Sequence, residues 1–273
     1  MRCAHIKERS AVYLLIGYLF IVIVSLFRYF FPLPLFRDGG AYIVAVIFFL
    51  CAFLIFRSNF TLFVSALFFL LLYLADPLIA VQQEILPFSF PGVLFGIPVI
   101  VYMVIVLFSR KCRREVSWLA RGSLDRISVI LILGIIVISG VALIGWTILL
   151  KPDLSPILST MPRVHPGLLI LGGFGFALSN ALVEELIFRG ILWDGLRSLL
   201  PEIAAVIVIQ SALFGILHWK GFPSGILGVA LVFIWGILLG IIRQRTGGLL
   251  APILAHIGAD MTIFGILLMM VQQ

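Results

Sequence analysis

Val183-Glu184-Glu185-Leu186-Ile187-Phe188-Arg189-Gly190 decides how this chain is read. It sets two carboxylates and a guanidinium into an apolar run, 167–190, that is otherwise fit to span a bilayer. An Asp or Arg at the centre of a membrane helix costs about 2.5–3.5 kcal/mol, against a gain of roughly 0.3–0.6 per Leu, Ile, Phe or Val. Two Glu and one Arg therefore cancel much of what one helix gains. Either the helix ends at Val183 and the charges reach water, or the charges are held in the membrane for a purpose. Ionisable residues inside a span are a functional signal by default.

The surrounding chain makes the membrane reading general. Hydrophobic residues form 63% of the 273 and charged residues 11%, and the mean hydropathy is +1.25. A soluble domain would carry about 25% charged residues. The expected fold class is all-α, a polytopic membrane protein of eight or nine transmembrane helices with little left for a soluble domain. The net charge of +7 does not read as a nucleic-acid patch, because the basic residues fall between apolar runs. Cys3, Cys51 and Cys112 have no metal-ligand spacing, and their odd number argues against a disulfide framework.

Apolar runs occur at 11–31, 41–56, 60–80, 93–108, 127–150, 167–190, 203–218, 225–242 and 249–270. Pro32, Pro34 and Asp38-Gly39-Gly40 end the first, Asp76-Pro77 the third, and Lys151-Pro152 to Pro166 separate the fifth from the sixth. With nine spans and the N-terminus on the cytoplasmic side, fourteen basic residues fall on inner connections and four (Arg37, Lys151, Arg163, Lys220) on outer ones. That is the bias the positive-inside rule asks for. The loop 109–126 alone holds Arg110, Lys111, Arg113, Arg114, Arg121 and Arg126, and it divides the chain. Residues 1–126 read as N-terminal transmembrane helices without paired intramembrane acids. Residues 127–273 read as a C-terminal helical core carrying the Glu-Glu-x-x-x-Arg, Phe-x-x-x-His and His-x-x-x-Asp motifs, a polar constellation that lies entirely after 166.

On a helix, Glu185 and Arg189 are four apart with the acid first, the favourable order for a side-chain ion pair. Asn180 and Glu184 are four apart on a neighbouring line. This suggests a division of labour in which Arg189 holds Glu185 while Glu184, with Asn180 below it, stays available as a base; a desolvated carboxylate without a full partner is the better proton acceptor. Phe214-Gly215-Ile216-Leu217-His218 is the second motif, although a His at a span end also reads as interfacial. His256-Ile257-Gly258-Ala259-Asp260 is the third: Asp260 can orient the His256 ring, or the two are a helix-stabilising pair. If the helix of Glu184 runs on to Leu199 and turns at Pro201, Glu184 lies 17 residues before the turn and His218 17 after it. At about 1.5 Å per residue a helical hairpin levels them. Arg189, Asp194 and Arg197 must then line a polar cavity or reach the inner interface, and His256 requires a tilted or broken helix.

Glu-Glu-x-x-x-Arg, then Phe-x-x-x-His, then His-x-x-x-Asp, on successive apolar segments over about 180–260, resembles the CPBP family of type II CAAX prenyl proteases and bacteriocin-processing or self-immunity (Abi) membrane proteins. The resemblance implies an intramembrane endopeptidase in which Glu184 activates water and Glu185 and Arg189 support it. His218 and His256 would stabilise the oxyanion, and Asp260 stands where the prenyl-protease branch has Asn. It implies a membrane-associated peptide or protein substrate, prenylated or a bacteriocin-type peptide, and residence in a bacterial plasma membrane. It leaves a divalent metal such as zinc open, with Glu184, Glu185, His218 and His256 as candidate ligands. No His-Glu-x-x-His is present, and a glutamate base needs no metal. Two other readings stand beside it: a proton-coupled transporter using the same acids and histidines as a relay, and a non-catalytic immunity or binding protein on the same fold.

Overall fold

Long apolar stretches with their backbone polar groups in lipid have to close their hydrogen bonds internally, which makes them helices. The structure is a computed structural model describing residues 2–30, 40–75, 95–159, 161 and 165–271, and every apolar run carries a helix. In chain order these are α1 (Arg2–Phe30), α2 (Gly40–Ser58), α3 (Phe60–Leu74) and α4 (Gly96–Phe108). The short basic α5 (Arg110–Glu115), α6 (Arg126–Leu150) and a single turn α7 (Ser155–Leu158) come next. Then α8 (Pro166–Glu185) passes without a break through a π-helical turn, Leu186–Leu192, into α9 (Trp193–Arg197). α10 (Ile203–Leu217) ends in a 3-10 turn at His218–Lys220, and α11 (Gly225–Thr246) and α12 (Leu250–Val271) complete the chain. No strand occurs among the described residues.

Among the described residues, five helices are long and apolar enough to cross a membrane: Arg126–Leu150, Gly167–Arg197, Ile203–Lys220, Gly225–Thr246 and Leu250–Met270. The four earlier apolar runs appear as shorter segments at 11–27, 46–55, 60–74 and 96–108. The all-helical, membrane-spanning class is as expected, and helix length alone does not settle eight crossings against nine. The turn signals Pro32, Pro34, Asp38-Gly39 and Asp76-Pro77, with Arg37 and Arg163, lie outside the described residues.

Local chemistry sets the helix ends. Asn59 caps α3, its side chain accepting from the Leu62 amide at 3.0 Å. Asp125 caps α6 by accepting from the Ser128 amide at 2.8 Å and also meets Arg245 Nη2 at 3.1 Å. These bonds satisfy amides that a helix start leaves without a partner. Gly247, at φ 71°, ends α11 in the left-handed conformation that glycine adopts without penalty.

α10 and α11 pair closely, while α12 packs between α6 and α8. Small residues let these backbones approach, since lipid leaves van der Waals packing as the main driving force between helices. A Cβ at Gly258 would fall 2.5 Å from Ile136 of α6, and one at Gly173 equally close to Phe264 of α12. One buried apolar cluster runs from Tyr18, Phe48, Phe68 and Tyr102 in the N-terminal helices, through Phe188 and Trp193, to Phe214 and Val232. The N-terminal helices and the C-terminal ones therefore share a core. Leu168, Leu171, Phe174 and Leu182 of α8 point outward and are exposed, an apolar face suited to lipid.

The basic loop lies on the α11–α12 turn. Ser123 donates to the Thr246 carbonyl at 2.9 Å, Leu249 to Ala120 at 3.3 Å and Leu250 to Arg121 at 3.2 Å. Gly248 sits against the backbone of Arg121 and Gly122, where a Cβ has no room. Overpacking of this kind costs about 1–3 kcal/mol, and backbone cannot swing aside as a side chain does. Gly248→Ala should therefore lower the unfolding temperature of the purified protein in detergent, whereas Gly134→Ala, with open space around it, should leave that temperature unchanged.

Candidate active site

Glu184 and Glu185 are the last residues of α8, just before the backbone widens into the π turn. Every residue of that turn is buried, Arg189 included. Arg189 is 0% exposed. Its Nη1 donates to Glu185 Oε1 at 2.9 Å and its Nη2 to the Gly236 carbonyl of α11 at 3.3 Å, while the guanidinium carbon lies 4.6 Å from the Phe214 ring centroid. The expected pairing of Arg189 with Glu185 is thus present, with a carbonyl and an aromatic face beside it.

Glu185 Oε1 also accepts from His256 Nδ1 at 2.7 Å, tying α8 to α12. The other nitrogen of His256, Nε2, faces Glu184 Oε2 at 3.5 Å and Asp260 Oδ1 at 3.6 Å. Asp260 Oδ2 accepts from Asn180 Nδ2 at 3.1 Å. Two expectations change here. The side chain that orients His256 by hydrogen bond is Glu185, with Asp260 only at ion-pair distance. Asn180 serves Asp260 across the α8–α12 contact, rather than Glu184 on its own helix. Both follow from α12 lying against the polar face of α8, which puts cross-helix partners nearer than same-helix ones.

His218 is held by Phe214. Its Nδ1 donates to the Phe214 carbonyl at 2.9 Å, and its ring lies edge-on to Phe214 with centroids 4.6 Å apart. Phe214 in turn meets Phe188 at 4.7 Å and His256 at 6.4 Å. Phe214 thus touches the rings of both histidines and the Arg189 guanidinium. The structure brings together Glu184, Glu185, Arg189, His256 and Asp260, and the half-buried His218 meets the same Phe214 ring. The helix of Glu184 does continue to Arg197 before turning, as the hairpin argument requires. α12 reaches the cluster unbroken, so no break is needed to bring His256 level.

Arg189, Asp194 and Arg197 do not share a polar cavity. Arg189 is sealed in the core. Asp194 accepts from the Ser117 amide at 2.7 Å and the Ser117 hydroxyl at 2.5 Å. Arg197 is exposed and closes its own helix end by donating to Leu200 and Pro201 carbonyls at 3.2 and 2.8 Å.

Three structural features have little or no signature in the sequence. The π turn gives no periodicity signal, because the Glu185–Arg189 spacing of four looks the same with or without it. Gln210 is fully buried in α10, and its Nε2 reaches Ser211 Oγ at 2.8 Å and the same Gly236 carbonyl that Arg189 uses at 3.3 Å; a carboxamide in the middle of run 203–218 is the available clue. Trp235 stands edge-on to His256 with centroids 4.7 Å apart, and in the sequence it is one aromatic among many.

Acceptors outnumber donors around the cluster. The Glu184 side chain makes no hydrogen bond among the described residues, and Glu184 Oε2, Glu185 Oε2, Asn180 Oδ1 and Gln210 Oε1 are buried without a hydrogen-bond partner, against the donors Arg189 Nε and Trp235 Nε1. The four candidate ligands do not form one donor set for an ion. Glu185 Oε1 is taken by Arg189 and His256, His256 turns Nδ1 to Glu185, and His218 turns Nδ1 to the Phe214 carbonyl. No group of three His, Cys, Asp or Glu side chains among the described residues is arranged to hold a metal ion.

No curated protein and no solved structure matches the chain. Residues 166–262 match the family described as type II CAAX prenyl endopeptidase Rce1-like. The matched stretch runs from the start of α8 into α12 and so includes all three motifs. Over residues 166–262 the chain is thus similar to the Rce1-like type II CAAX prenyl endopeptidases.

Proposed function

We propose that this chain hydrolyses a peptide bond of a membrane-associated peptide or protein, with Glu184 as the base that activates water. The observation that carries the reading is the asymmetry of the two neighbouring acids. Glu185 is bonded to Arg189 and His256, whereas the side chain of Glu184, 5% exposed, has no hydrogen bond among the described residues. A carboxylate stripped of water and not bonded to a cation is a ready proton acceptor.

In the reaction Glu184 takes a proton from water as the water oxygen attacks the scissile carbonyl carbon. The tetrahedral oxyanion then collapses, and the proton passes from Glu184 to the departing nitrogen, which leaves as an amine. Arg189 holds Glu185, and Glu185 holds the His256 ring, so the imidazole meets the reacting groups in one orientation. His256 Nε2, between Glu184 and Asp260, is the ring nitrogen nearest the base; with Nδ1 donating to Glu185 it donates to the oxyanion only as imidazolium.

His218 has a narrower role than His256. With Nδ1 donating to the Phe214 carbonyl, the neutral ring carries a lone pair on Nε2. In that form it accepts from the attacking water or the departing amine, and it stabilises an oxyanion only as imidazolium.

The family directs attention to prenylated CAAX peptides. Asp260, held by Asn180, adds a negative charge beside the proposed oxyanion position, which disfavours substrates that bring a carboxylate close to it and favours internal peptide bonds. The excess of basic residues on alternate connections supports a cytoplasmic N-terminus and a cytoplasmic loop 109–126.

The test is cleavage of quenched-fluorescent peptides, with and without a prenyl group, by the purified protein in lipid. Glu184→Gln should lower kcat by about 10²- to 10⁴-fold and unfold at the wild-type temperature, and a chelator should leave the wild-type rate unchanged. Full turnover in Glu184→Gln would remove Glu184 as the base, and loss of turnover to chelator with rescue by zinc would replace the mechanism. Arg189→Ala should behave differently, because it leaves Glu185 buried without its cation. Such a loss costs about 3–5 kcal/mol, so denaturant unfolding in detergent should show a less stable protein as well as an inactive one.

A further inference from the structure

The π turn that carries Arg189 is held by side chains from outside its own helix. In an α-helix each amide bonds the carbonyl four residues back, and in a π turn five back. Where one register meets the other, a carbonyl can be left for a donor from elsewhere, and a buried carbonyl needs one. Two carbonyls of the turn have such donors. Arg243 Nε of α11 donates to the Arg189 carbonyl at 3.0 Å, and Ser65 Oγ of α3 donates to the Ile191 carbonyl at 2.5 Å. Both side chains are buried. The Ser65 proton is taken by Ile191, so the Tyr18 hydroxyl, 2.6 Å away, is the donor in the Tyr18–Ser65 bond. Gly195 permits this approach, since a Cβ there would collide with both hydroxyls.

We propose that Ser65 and Arg243 are positioning residues that clamp the turn Leu186–Leu192 in its wide register and so keep Glu185 and Arg189 within the carboxylate cluster. Closing the turn to an α register would rotate the helix on one side by about 100° relative to the other, one residue's worth of an α-helix. Both sides are anchored. Glu185 is bonded to His256 before the turn, and Asp194 is bonded to Ser117 after it. Ser117 is also bonded by Arg243 Nη2 at 2.7 Å, so one arginine holds both the turn and the anchor beyond it. The register cannot relax without pulling either Glu185 off His256 or Asp194 off Ser117. Ser65 and Arg243 act on the stretch between these anchors, from opposite sides. Through Ser65 the N-terminal helices take part in shaping the site.

The activity readout rests on the protease reading, and amide exchange does not. The experiment compares wild type, Ser65→Ala, Arg243→Met and Tyr18→Phe as full-length protein in lipid bilayers. It measures hydrogen exchange of the amides of 186–195 together with kcat and KM for peptide cleavage. Ser65→Ala and Arg243→Met should each speed exchange within 186–192 about tenfold or more, with the amides of α6 and α12 unchanged. They should lower kcat about ten- to a hundredfold with KM within about twofold, the pattern of misplaced catalytic groups rather than lost binding. Tyr18→Phe keeps the Ser65 donation to Ile191 and should match wild type in both measurements. If Arg243→Met fails to fold, Ser65→Ala decides. Unchanged exchange across 186–192 in Ser65→Ala, or equal effects of Ser65→Ala and Tyr18→Phe, would overturn the clamp. A wild type that cleaves no peptide would remove the protease reading, and the exchange comparison alone would then decide the proposal.

Discussion

The ion pair between Glu185 and Arg189 is the constraint on which the site depends, because a guanidinium without contact with water must be met on several sides. A buried charge is tolerated only with a counter-charge and further hydrogen bonds. Arg189 finds a carboxylate on its own helix, the Gly236 carbonyl on α11 and the face of Phe214 on α10. These come from three elements, so their packing follows from the charge. Gly236 is a glycine because α10 and α11 cross too closely for more: a Cβ there would lie 3.0 Å from Ser211 Cβ. That crossing presents a backbone carbonyl to a guanidinium inside an apolar bundle.

The same constraint explains why the first half of the chain matters to the second. A widened turn around Arg189 leaves carbonyls that regular helix geometry does not serve. The side chains that serve them come from α3 and α11, and α3 is steadied by α1 through Tyr18. The basic loop adds Ser117, which meets both Asp194 and Arg243. Arg243 also lies 5.6 Å from the Trp193 ring. A polar chain thus extends from the loop, through Ser117 and Arg243, to the backbone of the residue whose side chain holds Glu185. In an apolar bundle such a chain is costly to leave half-made, which favours its closing as a unit.

Much of this is legible in the amino-acid order, for identifiable reasons. Helices are readable because apolar runs in lipid have no other way to satisfy their backbone. The Glu185–Arg189 pair is readable because a spacing of four survives in either register. Contacts set between helices are not. Asn180 can be placed on the face of Glu184, but its bond to Asp260 depends on α12 lying against that face. Likewise Asp260 looks like the natural partner of His256 four residues away, yet Glu185, 71 positions distant, is the nearer acceptor. The π turn is invisible because its effect is a rotation of the helix beyond it, and hydrophobic periodicity over so few residues does not resolve one extra residue. Gln210 leaves a trace, a carboxamide where the run wants an aliphatic residue.

The cluster's composition also limits what it can bind. Arg189 supplies one fixed positive charge against Glu184, Glu185 and Asp260, so with a neutral His256 the set carries a formal charge of −2. The atoms left without a hydrogen bond there, the acceptors Glu184 Oε2, Glu185 Oε2, Asn180 Oδ1 and Gln210 Oε1 against the donors Arg189 Nε and Trp235 Nε1, are mostly ones that call for partners bringing hydrogens. Water and an amide N–H do so; a carboxylate or phosphate group would be repelled. A peptide bond with its attacking water therefore suits the site on charge as well as on family. Glu184 is the acid of the three whose side chain has no hydrogen bond among the described residues, since Glu185 has its cation and Asp260 its carboxamide.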